Sequence, residues 1–484
     1  MMHKIHCLSM LCCAIFIITF QAFGQQGSEN RLNVLMIIAD DLSSIIYNNE
    51  EIHTPNIDKL ASQGRPFSRA YCQASLCNPS RASIMTGKRP YELGIYTNQP
   101  HFRGMYPRIK TIPEYFKGQG YYTVGLGKIF HNWGQAIEGD PQSWSEPQEY
   151  HYAAHYHDWY VEGRPYQLHF DLRKGPAVQS ESVPDEAYLD GRIANTAITK
   201  LRELQETPFF MAVGFWKPHL PYNAPKKYWD LYDRNHLPKL KYEKPVKGVS
   251  DLAYVDSNEA RSYADIDKND PIPNEKKEEL RHGYLASISY LDAQVGKVLD
   301  ELERLDLTKN TIVVFLSDHG YHAGEHGQFG KWTNFEIGTR VPLIINMPEL
   351  PSPGKVSNSI VELIDIYPTL LELCGVQDAN SNNGLSGASL VPVLKDPEKT
   401  VKAAAISQIT RPIGGGTDFT ILGSTMRSVD FRYNIWIQND NKEILDEELY
   451  SLQSDLFIVE NLIHKPEYRE VRETMKRNLL NSLK

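Results

Sequence analysis

The stretch Cys77 to Pro90, reading CNPSRASIMTGKRP, joins a cysteine, a helix-start signal and two cations in one turn. Pro79 suits the first helical position, where a missing N–H costs nothing, and Ser80 to Met85 continue a helix that Gly87 stops. Cys77 then lies beside a helix N-terminus. Unpaired N–H groups and the positive end of the helix dipole there favour an anion, and Arg81, one turn on, adds a fixed charge. Such a turn is suited to holding an oxyanion. A buried structural cysteine beside a capped helix has the same local pattern, and the turn alone does not separate the two.

Other residues able to do chemistry follow apolar runs. Asp40 and Asp41 end NVLMIIA, and Lys128 and His131 follow the run closing at Leu126. Lys217 and His219 follow the run closing at Trp216, and Asp318 and His319 follow TIVVFLS, with Lys331 shortly after. Carboxylates from three places favour a hard divalent cation such as calcium. His319 is the awkward donor, and from chemistry alone zinc in a phosphatase-like centre stays open.

The elements that must position these groups alternate. Strands are predicted at Asn33–Ala39, Tyr121–Leu126, Pro208–Trp216, Thr311–Leu316 and Val341–Asn346. Helices are predicted at Thr54–Leu60, Thr111–Lys117, Pro184–Glu206, Glu275–Leu305 and Ile360–Cys374. Strand and helix alternating from Asn33 to about Leu390 imply an α/β fold, a mostly parallel sheet covered by helices, with ligands beyond the strands' carboxyl ends. Asn132 to Ser182, rich in His, Tyr, Trp and Pro, reads as an insertion able to line a cleft, and 223–275 as a surface excursion. From about Lys395 the pattern changes to shorter strands, Met426–Asp430 and Arg432–Ile437, and a helix over Glu467–Leu483, a small α+β subdomain.

At 484 residues the chain exceeds one comfortable core. Its net charge of −9, from 51 basic and 60 acidic side chains, argues against general attraction to nucleic acid or membrane surfaces. Residues 1–24, with Lys4, the apolar run Leu8 to Phe20 and Ala22-Phe23-Gly24, read as a secretory signal peptide too short to span a membrane. Periplasmic export is expected; lipoprotein anchoring is the alternative, disfavoured by Leu11 before Cys12. Cleavage leaves Cys72, Cys77 and Cys374, an odd number, which points to a modified or reactive thiol.

Cys-x-Pro-Ser-Arg, followed by Gly87, Arg89 and Pro90, resembles the sulfatase signature, in which a maturation enzyme oxidises the cysteine to formylglycine (3-oxoalanine). The resemblance implies an alkaline-phosphatase-like fold, with residues 25–394 as the catalytic domain and 395–484 as the C-terminal subdomain. It implies one Ca2+ held by Asp40, Asp41, Cys77, Asp318 and His319. It also implies that Arg81 and Lys128 hold the hydrated aldehyde, that His131 takes the proton that drives its collapse, and that His219 and Lys331 grip the ester. Glu448 to Asp455 resembles a stretch near the end of many sulfatases.

GLGKIFH, WKPHLPY and SDHGYHAGEHGQFGKWTNFEIGTRVPLI resemble, block by block, the iduronate-2-sulfatase branch. That branch removes 2-O-sulfate from uronic acids of heparin, heparan sulfate or dermatan sulfate, usually at a chain end. Asn98, His101 and Arg103 follow the cysteine helix closely enough to reach the pocket, and Arg103 could pair with a uronate carboxylate. Three other readings are a sulfatase of another sulfated sugar or small molecule, a phosphatase or phosphodiesterase of the same fold, which would need serine or threonine at position 77, and a glycan-binding protein with Cys77 unmodified.

Overall fold

The computed structural model describes residues 31–47, 49–131, 137, 139–150, 158–163, 175–240, 242–257, 259–376, 384–413, 418–452 and 460–483. The expected signal peptide and much of the 132–182 insertion lie outside the described residues. Among the described residues no helix is long and apolar enough to cross a membrane.

One sheet carries eight strands: β1 (Asn33–Asp40), β2 (Arg65–Tyr71), β3 (Tyr122–Gly127), β4 (Phe209–Pro218), β5 (Thr311–Ser317), β6 (Arg340–Val341), β7 (Leu343–Asn346) and β8 (Ser357–Glu362). Their order is β6-β2-β7-β5-β1-β4-β3, with β8 paired to β2. The run β5-β1-β4-β3 is parallel, so its carboxyl ends share one edge. β7 is antiparallel to both β5 and β2.

All of β1 is buried because both faces of the sheet are covered. Leu35, Ile37 and Ala39 face a core built with α1 (Pro55–Gln63), α4 (Leu189–Glu203) and α5 (Asn274–Arg304). Val34, Met36 and Ile38 face the other core, with α2 (Cys77–Thr86), α3 (Ile112–Gly118) and α6 (Ile366–Leu373). The period of two along the strand thus sorts its side chains between two helical layers.

The second sheet is antiparallel and sequential: β9 (Ala404–Arg411), β10 (Ile421–Ser428), β11 (Phe431–Gln438) and β12 (Ile444–Ser451). One face holds α7 (Arg469–Ser482) through Met475 and Leu479. The other packs Ile409, Trp436 and Tyr450 on Phe335 and Ile337, just ahead of β6. Buried Glu336 joins the two, accepting from Arg432 at 2.6 Å and from the Tyr71 hydroxyl at 2.7 Å.

Several elements depart from the sequence reading. RPFSRAY, with no clean alternation, is strand β2, held by neighbours on both sides. The helix expected over Ile360–Cys374 begins only at Ile366, because Glu362 and Asp365 close a capping box and Ser357–Glu362 pairs with β2. The helix expected from Pro184 begins at Leu189, after a 3-10 turn. The subdomain's strands run eight residues each, longer than expected.

Removing one partner of a buried ion pair leaves an uncompensated charge. Glu336→Ala should therefore lower unfolding stability in urea by about 3 to 5 kcal/mol; a change below about 1 kcal/mol, the scale of an exposed pair, would show the junction to be unimportant.

Candidate active site

Four strand ends converge on Cys77. Asp40 closes β1, and the next residue, Asp41, turns the chain with φ 64°, a conformation uncommon for a residue with a side chain. Two bonds hold that turn. The Asp41 N–H donates to Asp318 Oδ1 at 3.3 Å, and its carbonyl accepts from the Tyr284 hydroxyl at 2.7 Å. The result is a pair of adjacent carboxylates pointing into one buried space.

α2 begins at Cys77 itself, two residues before Pro79, and ends at Gly87, whose φ of 68° is the left-handed cap that glycine adopts readily. Asn98 Oδ1 accepts from the Asn78 N–H at 3.1 Å, satisfying one of the first-turn donors of α2. Cys77 Sγ lies 3.2 Å from His319 Nε2, 3.5 Å from Lys128 Nζ and 3.6 Å from Asp40 Oδ1. Ligand-type atoms of Asp40, Asp41, Cys77 and His319 all lie within 4.8 Å of one another.

Charge is balanced residue by residue. Arg81 Nε donates to Asp318 Oδ2 at 2.8 Å and Nη2 lies 3.6 Å from Asp40, while Nη1 donates to the Lys128 carbonyl. Lys128 Nζ is bonded to Asp40, and Lys331 Nζ lies 2.9 Å from Asp41. Burial alone would raise the Asp40 carboxyl, but Lys128, His219, Arg81 and Lys331 hold it well below the usual range. Burial pushes the Cys77 thiol far up despite the two lysines, so the unmodified residue is a neutral thiol. Burial and the Lys128 charge hold His131 well below its usual value, leaving a neutral imidazole able to accept a proton. The backbone of Lys128 can come this close because β4 offers Gly214, whose carbonyl accepts the Lys128 N–H at 2.8 Å.

Glu259 belongs to the centre and was not among the expected residues. Its Oε1 lies 2.9 Å from His219 Nε2, its Oε2 lies 3.3 Å from Lys331 Nζ, and the side chain is 10% exposed. The other ring nitrogen of His219 lies 2.6 Å from the Leu220 carbonyl, and Asp41 Oδ2 is 3.7 Å from Nε2. Burial opposes charge on this ring, yet Glu259 and Asp41 raise its pKa. The segment 223–275 is thus more than a surface excursion. A lone glutamate in SNEARS carries no spacing that marks it, and it stands at the N-terminal cap of the 3-10 turn Ala260–Ser262.

Two expected contributors lie elsewhere. Arg103 is buried and its guanidinium donors are consumed within the protein: Asp140 at 2.8 and 2.9 Å, Glu114, and the carbonyls of Pro107 and Ile109. It holds its own loop and has no donor to offer a uronate. His101 Nδ1 accepts the Arg103 N–H at 3.0 Å, and burial pulls the ring down to about 4, so it brings no charge. Lys217 likewise turns away, donating to Asn223 and to the Pro221 carbonyl at 2.7 Å.

A buried nucleophile position ringed by fixed cations and carboxylates, at the carboxyl edge of a helix-covered sheet, defines a hydrolase of anionic esters on an alkaline-phosphatase-like fold. The sulfatase profile matches residues 32–376. Iduronate 2-sulfatase from Homo sapiens is 32% identical over 508 residues, covering 90% of this chain and 92% of its own. Among solved structures, a complex titled with its substrate D-glucosamine-2-N,6-O-disulfate superposes with a TM-score of 0.72 at 23% identity, over 94% of this chain and 97% of that one. A structure titled a 2-O GAG sulfatase gives 0.67 at 22%, over 94% and 92%. The chain belongs to the sulfatase family, the sulfuric ester hydrolases.

Glu259→Gln keeps the shape of the bridge and removes its charge. Sulfate release per enzyme, as kcat/KM, should fall roughly 10- to 100-fold, the equivalent of a charged hydrogen bond of about 1.5 to 3 kcal/mol. An unchanged kcat/KM would take Glu259 out of the reacting centre.

Proposed function

We propose that the protein hydrolyses 2-O-sulfate esters of uronic acid residues in heparin- or heparan-sulfate-type saccharides, at the non-reducing end, with Cys77 acting after conversion to formylglycine. The observation carrying this reading is the position of Cys77 Sγ, within 3.6 Å of Asp40, Lys128 and His319, inside the motif that sulfatase maturation enzymes act on. Likeness to iduronate 2-sulfatase over 90% of the chain supports the substrate class. The N-terminal segment supports export to the periplasm, where such saccharides would be met.

The donor set fits a divalent cation: Asp40 and Asp41 bring hard carboxylate oxygens beside His319 and the modified Cys77, and Asp318, whose Oδ2 lies 3.5 Å from His319 Nε2, would complete the ring. Calcium, when bound there, would supply Lewis acidity for the nucleophile and for the sulfate oxygens. The chain's own residues do the rest. One hydroxyl oxygen of the hydrated aldehyde at position 77 gives its proton to the carboxylate of Asp40, whose Oδ1 lies 3.6 Å from the side chain there, and attacks sulfur as the bond from sulfur to the sugar oxygen breaks. Arg81 and Lys128 hold the hydrate, and Lys331 neutralises the sulfate oxygens. His219, held between Glu259 and Asp41, gives its proton to the departing sugar oxygen. Neutral His131 then takes the proton of the remaining hydroxyl, the carbon–oxygen bond to sulfate breaks, and the aldehyde re-forms for water to hydrate.

A thiol at position 77 lacks the second hydroxyl that allows this collapse. Cys77→Ala should release no sulfate over repeated turnovers, and mass analysis of the wild-type peptide should find the aldehyde in place of the thiol. Multiple turnovers by the alanine variant would sink the mechanism. Chelation should abolish activity and added calcium restore it; active protein holding two zinc ions instead would point to phosphatase chemistry. Among heparin disaccharides differing only in sulfate position, 2-O-sulfated uronate should be desulfated and glucosamine 6-O-sulfate left largely intact. The reverse preference would overturn the substrate assignment.

A further inference from the structure

Arg103 being spent on its own loop leaves the substrate's carboxylate without the partner expected for it, and the subdomain supplies another. A cavity of about 610 Å³ lies between the loop 250–256 and the end of β9, lined by Leu252, Tyr254, Val255, Arg411 and Leu445 among others. Its size falls within the roughly 300 to 1,000 Å³ common for small-molecule sites. Two of its walls are continuous with the reacting centre. Tyr254 to Asp256 precede Glu259 in the same segment, and Arg411 Nη2 donates at 2.9 Å to the carbonyl of Trp332, the neighbour of Lys331.

Arg411 is 6% exposed and stacks on Trp436, with its guanidinium carbon 5.1 Å from the ring centre. Four of its five N–H groups donate to neutral carbonyls, Leu252 at 2.9 Å, Thr410 at 3.0 Å, Trp332 at 2.9 Å and Tyr254 at 3.4 Å, which leaves one Nη1 N–H, where Arg103 has none, for a single charged hydrogen bond. Arg81, Arg103 and Arg432, also buried, each face a carboxylate at 2.9 Å or less, whereas buried Arg65 donates to carbonyls as Arg411 does, so it is the cavity that sets Arg411 apart. A buried cation balanced by no adjacent carboxylate among the described residues, and bordering a cavity, is arranged to receive an anion. Burial pulling the guanidinium down to about 10 agrees, Glu448 offsetting only part of the cost. Asp251 and Asp256 stand exposed at the rim, where they can accept sugar hydroxyls and repel additional sulfates.

We propose that Arg411 receives the carboxylate of the substrate's uronic acid, so that specificity for a uronate is set by the C-terminal sheet. The inference rests on the uronate 2-O-sulfate reading above, and one experiment separates the two. Full-length matured enzyme is assayed on a 2-O-sulfated uronate disaccharide and on its carboxyl-reduced counterpart, as wild type, Arg411→Gln and Arg411→Lys. Wild type should prefer the carboxylate by roughly 10- to 100-fold in kcat/KM, mostly through KM, the loss expected for one charged hydrogen bond. Arg411→Gln should lose a similar factor on the carboxylated disaccharide and far less on the reduced one, and Arg411→Lys should recover part of the loss. Equal losses on both substrates would mark Arg411 as structural and overturn the proposal. Equal wild-type rates on both would do the same even if the glutamine variant fails to fold, while leaving 2-O-desulfation standing. No release from either disaccharide by wild type would overturn the substrate reading and the subsite with it.

Discussion

Three carboxylates, Asp40, Asp41 and Asp318, lie fully buried within one small volume, and everything else in the molecule answers to that concentration of charge. Isolated carboxylates cannot be held ionised away from water; each must be matched by cations and hydrogen-bond donors at short range. Arg81, Lys128 and Lys331 do this one for one, and each arrives on a different element: helix α2, the end of β3, and the loop after β5. A sheet whose central strands run parallel is the economical way to bring such ends to one edge, because each strand returns through a helix and starts again from the far side.

The same balance accounts for the reach of the site. Lys331 faces both Asp41 and Glu259, and Glu259 in turn faces His219, so a charged chain runs from the cation-rich nucleophile helix to the loops that lie outside it. Altering one member shifts the charge that all the others experience, because the interior screens poorly. Cys77 is embedded in this chain as a neutral thiol. The fixed cations around it are disposed for an oxygen-bearing group that carries or transfers negative charge.

The antiparallel sheet of the C-terminal subdomain is bound to this centre from behind. β9 continues the hydrogen bonding of the segment after β2, with Gln408 N–H on the Gln73 carbonyl at 2.9 Å, four residues before Cys77. Glu336 fixes the other end through Arg432 and Tyr71. A sheet so attached sets its last β9 residue, Arg411, against the carbonyl of Trp332, the neighbour of Lys331.

Much of this was legible in the sequence, for local reasons. NVLMIIA and TIVVFL are too apolar and too short for anything but buried strands, and the acids after them mark a sheet edge. The proline and glycine around Ser80 to Met85 delimit the cysteine helix, and the motif at Cys77 identifies the family. Tertiary structure alone decided the partners. Arg103 looked available because it follows the cysteine helix closely, yet Asp140 and Glu114 fold against it and take its donors. Glu259 lay in a stretch read as a surface excursion, and Arg411 in one to which no element was assigned. Whether a charged side chain is spent or free depends on which distant residues fold against it, and no local spacing records that.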